Sequence, residues 1–518
     1  MGLTFLILGG VVVLFVSNLV PVELVAIGAA LALWATGILD LQQTLAGFGD
    51  PAVIFIAALF VVSEGLDATG VTTWAGQRVI AIAGDDRRKL RLLILLLVAA
   101  FTALISVNGA VAALLPMVVL VAIRTEIAPS KILMPLAFAA HAGSLLALTG
   151  SPVNVLTSEA VHTAGQGSFG FFSFALVGIP LVAGTVLIVV LFGDKLLPER
   201  TPSSLPPDLS RHAQTLGLQY LDSDGDELLA HGQGVAEVII PPRSELIGAP
   251  VFPGMVTDSG DLVILAVQRH GRELGPEACT LLVGDTLLLQ GRWDHIEHHV
   301  AADANVIAVD DPDQLRRQAV PLGPKSLQAI AITAAMVVLL ATGAVPAAVA
   351  ALLAAAAMVF TRVRTVDQAY GAISWTTIVL VAAMIPLSTA MTQTGAAERI
   401  ATTLVDAIGD AGPTALLLGL FLLTAVLGQL ISNMATALIV IPIAVSAAAD
   451  LGVSARPVLM CVTVAAAAAL LTPVATPANL MVMGPGGYRF GDYWKLGLPL
   501  LALYLVVSVF LVPLIWSF

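Results

Sequence analysis

The sequence predicts an all-α polytopic membrane protein: two inverted-topology repeats, each of five transmembrane helices plus one re-entrant hairpin, with a small α+β cytoplasmic domain inserted between them. Three observations carry this expectation. A mean hydropathy of +0.96 with 11% charged residues over 518 positions is too apolar for a soluble globule. One offset of 325 residues superposes landmarks of the first half on the second. Short polar stretches, Ile105-Ser106-Val107-Asn108-Gly109 and Ile431-Ser432-Asn433-Met434-Ala435-Thr436, interrupt apolar runs in both halves. Hydrocarbon tolerates such groups where the backbone is broken and lines a cavity, or where they meet a neighbouring helix.

Taking the apolar stretches in order, the first half gives 3–20, 22–38, 52–80, 89–107 with 109–124, 131–148 and 170–193. The second gives 326–343, 345–361, 375–405, 414–432 with 433–449, 456–471 and 493–517, in the same order and at similar lengths. Stretch 3–20 runs into the next through Pro21 without a small-residue cleavage site, and reads as a retained span. At the offset of 325, Val20-Pro21 pairs with Val345-Pro346, Thr69-Gly70 with Thr394-Gly395, Asn108 with Asn433, Gly150 with Ala475, Pro152 with Pro477, and Asn154 with Asn479. Gly178-Ile179-Pro180-Leu181 recurs as Gly497-Leu498-Pro499-Leu500 at an offset of 319.

If the segment around each Ser/Asn tip is a hairpin, each half crosses the membrane an odd number of times and the second half is inverted. The positive-inside rule agrees. With the N-terminus outside, Arg87, Arg88, Lys89, Arg91, Arg124 and Lys131 fall inside, as do Arg362, Arg364, Arg489 and Lys495. Asp406, Asp410 and Asp450 flank the outward hairpin, with Arg399 and Arg456 as exceptions. Hairpin arms that cross fully are the alternative, giving 14 spans.

The chain then divides into a first transmembrane repeat (1–193), a linker and hairpin (194–234), an inserted domain (235–312), a linker (313–325) and a second repeat (326–518). Residues 194–325 carry 20 Asp and Glu against 10 Lys and Arg, leaving −2 of the net −12 for everything else. This balance argues against a nucleic-acid partner. Asp222-Ser223-Asp224-Gly225-Asp226 reads as a hairpin turn, since the glycine comes two places early for a calcium loop. Val235–Ile240, Leu262–Gln268 and Asp285–Gln290 read as strands and Trp293–Ala301 as a short helix. His295, His298 and His299 on that helix lack an acidic or cysteine partner at ligand spacing. Cys279 and Cys461, the two cysteines, build neither a disulfide framework nor a zinc motif.

The chemistry concentrates at four breaks. In each half a second one follows 46 residues after the first, Thr149-Gly150-Ser151-Pro152-Val153-Asn154 and Val474-Ala475-Thr476-Pro477-Ala478-Asn479. Proline removes a donor and disfavours helix at the residue before it. Freed carbonyls with nearby hydroxyl and amide oxygens suit a hard cation such as Na⁺, and half-helix N-termini favour an anion.

The tips and the Pro-Asn breaks of both halves resemble the divalent anion/sodium symporters of the ion transporter superfamily. Ser432-Asn433-Met434-Ala435-Thr436 is similar to that family's Ser-Asn-Thr tip, and Thr476 to Phe490 is similar to sulfate-permease-like members. Val235–Pro241, Ser244–Gly248, Gln268–Gly271 and Val283–Asp285 together resemble one TrkA-C (RCK C-terminal) domain. The resemblance implies Na⁺-coupled symport of a small divalent anion, such as sulfate or a carboxylate, by alternating access. It places Na⁺ at Ser432, Asn433 and Ala475, and at Ser106, Asn108 and Gly150 with Thr102 one turn earlier. Substrate lies between Asn108, Gly109, Met434, Pro152 and Pro477, with Ser151, Asn154, Asn433, Thr476 and Asn479 beside them. It also implies a homodimer in the bacterial inner membrane, with residues 194–325 cytoplasmic and the TrkA-C-like domain answering a small-molecule regulator. The first tip departs from the family pattern, and alignment on Pro116 and Pro442 sets Val107 opposite Asn433. Met434 stands where a hydroxyl would meet the anion.

Glu64 and His141, ionisable residues within apolar stretches, are candidates for proton coupling or for structural pairing. A cation/proton antiporter or metalloid exporter of the same superfamily needs Glu64; an anion sensor with a transporter-like body is the reading from another class. No phosphate-binding GxxxxGK[ST] loop or catalytic constellation is present, so neither an ATP-driven pump nor an enzyme is expected, and no cofactor beyond Na⁺ as coupling ion.

Overall fold

The computed structural model describes residues 1–17, 19–83, 86–124, 127–200, 233–257, 260–269, 272–274, 277–292, 295–296, 305–308, 325–408 and 412–518. The turn expected at 222–226, His298, His299, Asp410 and most of both linkers lie outside them. The chain divides into two compact units, one of Met1–Asp67, Ala75–Leu205 and Leu327–Phe518, the other of Ala68–Trp74 and Pro206–Ser326.

The first unit is helical. Its first half runs α1 (Gly2–Ser17), α2 (Val22–Ala35), α3 (Leu41–Leu45), α4 (Pro51–Ala68), α5 (Val71–Ala83), α6 (Arg87–Thr102), α7 (Val107–Arg124), α8 (Leu133–Gly143), α9 (Pro152–Thr163) and α10 (Ala175–Leu196). The second runs α11 (Ser326–Thr342), α12 (Ala347–Phe360), α13 (Val366–Ala372), α14 (Trp375–Gln393), α15 (Ala396–Ile408), α16 (Gly412–Leu430), α17 (Asn433–Asp450), α18 (Ala455–Ala467), α19 (Pro477–Met483), α20 (Tyr493–Val506) and α21 (Val512–Ile515). Helices α2 and α12 begin 325 residues apart, as do α5 and α15, and α9 and α19. Six stretches among the described residues are long and apolar enough to cross a membrane: Leu41–Ala68, Ala175–Leu196, Trp375–Gln393, Gly412–Leu430, Asn433–Asp450 and Phe490–Ile515.

Two expected long spans need correction. Stretches 52–80 and 375–405 each break into two helices at Thr69-Gly70 and Thr394-Gly395, where the glycines take φ of 79° and 70°. A left-handed residue there ends the helix, and glycine adopts it without a Cβ clash. Two short helices also went unread. Asp40 and Gln43 form a capping box at α3, and Thr365 and Gln368 form its counterpart at α13.

The breaks are held at the centre. Every residue of α8 is buried, and so is every residue of α18 except Arg456. Helix α8 packs against α6 and α7, and α18 against α16 and α17. The helices after the breaks cross over: α9 packs on α17 and α18, and α19 on α7 and α8. Ala465 to Ala469 let backbones approach closely in this region. Beyond α10 the chain is strapped down. Ser130 Oγ donates to Pro198 O at 2.8 Å and accepts from Arg200 N at 2.9 Å, while Arg200 Nη1 reaches the buried Asp492 at 2.5 Å and Gly487 O at 3.1 Å.

The second unit carries a five-stranded sheet of order β4-β3-β6-β1-β7 and a two-stranded sheet β2-β5. Its strands are β1 (Gln233–Ile239), β2 (Pro250–Val251), β3 (Leu262–Arg269), β4 (Arg272–Glu273), β5 (Cys279–Thr280), β6 (Thr286–Arg292) and β7 (Ile307–Ala308). The three longer ones fall on the expected strands, shifted by one or two residues. Period-two alternation turns Ala236, Val238, Leu287 and Leu289 into a common core with Ile264 and Ile296. Asp285, with its side chain 1% exposed, takes Arg269 Nε and Nη2 at 2.7 Å each, a bidentate pair that ends β3 against the turn before β6.

Candidate functional site

The two Ser/Asn tips are built alike. Ser106 Oγ accepts from Gly109 N at 3.2 Å and Ser432 Oγ from Ala435 N at 3.3 Å, each three residues into its helix. Pro116 and Pro442 lie inside α7 and α17. Both the caps and the prolines set an offset of 326 in this segment, so Val107 is the structural counterpart of Asn433, and Asn108 of Met434. The pairing of Asn108 with Asn433 at 325 gives way to the register set by Pro116 and Pro442, because the second half has one residue more between Gly395 and Ser432 than the first has between Gly70 and Ser106.

The second breaks are also alike. Ser151 and Thr476 are extended, with φ near −149° and −144°, as the following proline requires. Each then caps the next helix, Ser151 accepting from Val153 N and Thr476 from Asn479 N. Asn154 Nδ2 donates to Ser144 O and Ala147 O at 2.8 and 2.9 Å. Asn479 Nδ2 donates to Ala469 O and Thr472 O at 2.8 and 3.1 Å, the same three positions shifted by 325. These amides staple backbone that has left the helix. A Cβ on Gly178 would stand 2.2 Å from Leu145 O, and one on Gly497 2.2 Å from Leu470 O. Those two glycines let α10 and α20 run directly against the unwound segments.

Each tip is tied to the break of its own half. Thr149 Oγ1 donates to Ala103 O at 2.7 Å. In the second half Gln429 does this work, donating to Ala468 O at 3.1 Å and accepting from Leu471 N at 2.9 Å. Gln429 escaped the sequence reading, although a glutamine inside an apolar run was the available signal.

All four breaks open on one cavity of about 520 Å³. Its wall includes Ser106, Asn108, Gly109, Gly150, Ser151, Pro152 and Asn154 from the first half, and Ser432, Asn433, Met434, Ala475, Thr476 and Pro477 from the second. Glu64 and His141 line it as well. Two candidates stand behind the wall. Thr102 Oγ1 is turned to Val98 O and Ala99 O of its own helix, at 3.0 and 3.1 Å, and Asn479 is occupied as a staple. Ser63, Asp67, Ser144, Ser374, Thr376, Thr377 and Thr463 are further polar residues of the wall that the sequence did not single out. Ser374, Thr376 and Thr377 have Gly49, Pro51 and Ala52 as their repeat counterparts, so the duplication gave them no signal.

Among the described residues no lysine or arginine lines the cavity. Glu64 is ion-paired with Arg364, whose side chain is buried. His141 Nε2 lies 3.2 Å from Thr476 Oγ1 and 3.3 Å from Asn479 Oδ1. Two oxygens of described wall residues, Asn154 Oδ1 and Asn433 Oδ1, are buried without a hydrogen-bond partner. Buried oxygens in that state are acceptors ready for a ligand. The described residues contain no cluster of three or more His, Cys, Asp or Glu fit to hold a metal ion, and Glu64 and Asp67 are the carboxylates among the described wall residues.

Comparison with known proteins gives consistent results. A family model described as "citrate transporter" matches residues 12–460 and 412–518. The uncharacterized transporter YfbS of Escherichia coli is 30% identical over 98% of both chains. The probable sodium/sulfate cotransporter 3 of Chlamydomonas reinhardtii is 27% identical over 57% of this chain and 33% of its own length. Among solved structures, the YdaH transporter of Alcanivorax borkumensis superposes with a TM-score of 0.50 at 14% identity, over 92% of this chain and 87% of that one.

Proposed function

The chain belongs to the citrate transporter family, and on that premise we propose that it carries a small divalent anion, of the sulfate or carboxylate class, in symport with Na⁺ by alternating access. It is a multi-pass membrane transporter and not an enzyme. The observation that carries the proposal is the convergence of two tips and two unwound segments, one of each from either half, on a single cavity.

The physics of that cavity supports both ligands. The long helices α7, α9 and α17 all begin at its wall, with their free backbone N–H groups and positive ends. With no lysine or arginine among the described wall residues, they supply the counter-charge for an anion. The neutral oxygens of Ser106, Asn108 and Gly150 around one tip, and of Ser432, Asn433 and Ala475 around the other, suit Na⁺. The unpartnered Asn433 Oδ1 supports the second site most directly. The pairing of Glu64 with Arg364 supports a structural role for that carboxylate over proton coupling. In this reading the halves are inverted repeats with re-entrant hairpins, residues 194–325 are cytoplasmic, the TrkA-C-like domain regulates transport and the protein is a dimer in the inner membrane. The strap at Pro198–Arg200, bonded to loops beside α8 and α19, supplies a mechanical route for such regulation.

Thermal unfolding of the purified protein across a panel of oxyanions and carboxylates, in Na⁺ or K⁺, tests the proposal. A ligand that binds only the folded state raises apparent stability by mass action. Stabilisation by a divalent anion that requires Na⁺ is expected; equal stabilisation in K⁺, or none with any anion, refutes it.

A further inference from the structure

We propose that His141 is a positioning residue that couples the two breaks, so that the two Na⁺ sites fill cooperatively; this rests on the Na⁺-symport reading above. The otherwise matched halves differ at their stapling amides. Both staples, Asn154 and Asn479, spend their Nδ2 hydrogens on two break carbonyls. That fixes the orientation of each amide and leaves each Oδ1 as a pure acceptor. Asn479 Oδ1 meets His141 Nε2 at 3.3 Å, which places the imidazole proton on Nε2. Asn154 Oδ1 is buried with no partner. The residue related to His141 by the 325 offset is Ala466, which has nothing to donate.

The imidazole therefore bridges in one direction. It belongs to α8, and the first break begins one turn beyond it: Ser144 Oγ donates to His141 O at 2.8 Å, and Ser144 O accepts from Asn154 Nδ2 at 2.8 Å. Across the halves its ring touches the cap (Thr476) and the staple (Asn479) of the second break. Hydrogen bonds and the short covalent links between them thus connect Asn154 through the backbone of Ser144 and His141, and then through the imidazole, to Asn479 and on to Ala469 O and Thr472 O. A cation that orders one break settles α8, and α8 holds the cap of the other. The second cation then meets a site already formed, which is positive coupling without a contact between the ions.

The test is a Na⁺ titration of thermal stability and of anion uptake in the wild type and in His141→Gln and His141→Leu. Glutamine retains an N–H donor at similar reach, whereas leucine fills the volume without one, and melting of each in K⁺ reports the fold. The wild type is expected to respond sigmoidally, with a Hill coefficient above 1. His141→Leu is expected to show a lower coefficient than the wild type, and His141→Gln to recover part of the difference. A hyperbolic wild-type response overturns the coupling, as does an unchanged coefficient in His141→Leu or equal loss in both variants. Absence of any Na⁺ response in the wild type instead overturns the symport reading beneath it.

Discussion

Gly150→Ala is the sharpest single perturbation the cavity offers. A Cβ at this position would lie 2.3 Å from Ser144 O and 2.7 Å from Thr102 O. Both are backbone atoms, and ordinary contact begins near 3.4 Å, so the break and the end of α6 must separate by roughly 1 Å, at the about 1–3 kcal/mol typical of overpacking. In the proposed function Gly150 itself belongs to the first Na⁺ site, so its backbone shifts with the strain. If the strain falls on that site, apparent Na⁺ affinity drops by about 5- to 150-fold, at 1.4 kcal/mol per factor of ten. The repeat supplies its own control. Ala475, the counterpart, already carries a Cβ and is buried, so Ala475→Gly adds no clash and is expected to shift Na⁺ affinity much less. Both variants are assayed by Na⁺ dependence of thermal stability in detergent. Wild-type Na⁺ affinity in Gly150→Ala, or a larger loss in Ala475→Gly, refutes the assignment of this close approach to the ion site.

Asn433→Ala, which removes a buried, unpartnered oxygen at a tip, is expected to abolish Na⁺-dependent stabilisation with expression intact; a normal Na⁺ response counts against the second site. Asn479→Ala leaves Ala469 O and Thr472 O without their donor, and at about 1–3 kcal/mol for a buried unsatisfied group it is expected to lower melting in K⁺ as well as in Na⁺. An effect seen only in Na⁺ would make Asn479 a ligand and not a staple. Asp492→Asn weakens the clasp on Arg200 and is expected to expose the 198–200 strap to limited proteolysis, while the wild type is cut more slowly.

The sequence disclosed most of the architecture because duplication writes each landmark twice: Pro152 and Pro477 at N1 of a helix, Asn154 and Asn479 two residues on. It offered two registers for the tip, Asn108 on Asn433 at 325 and, through Pro116 and Pro442, Val107 on Asn433 at 326, and the caps at Ser106 and Ser432 decide for the second. The amides of Asn154 and Asn479, named from the sequence beside the substrate, turn their Nδ2 groups onto freed carbonyls. An asparagine after a proline can turn its amide into the cavity or back onto the freed carbonyls, and only the path of the unwound chain decides between them. Ser374, Thr376 and Thr377 were illegible for another reason: hydroxyls at a helix start are common, and what brings these to the wall is packing between the halves.

Uptake of radiolabelled sulfate or citrate into proteoliposomes, driven by an inward Na⁺ gradient and repeated with the gradient collapsed, tests the central claim most directly. Concentrative uptake that disappears with the gradient, and that Asn433→Ala lacks, is the result expected of four breaks holding anion and Na⁺ together. Accumulation independent of Na⁺, or driven by a proton gradient alone, would contradict it.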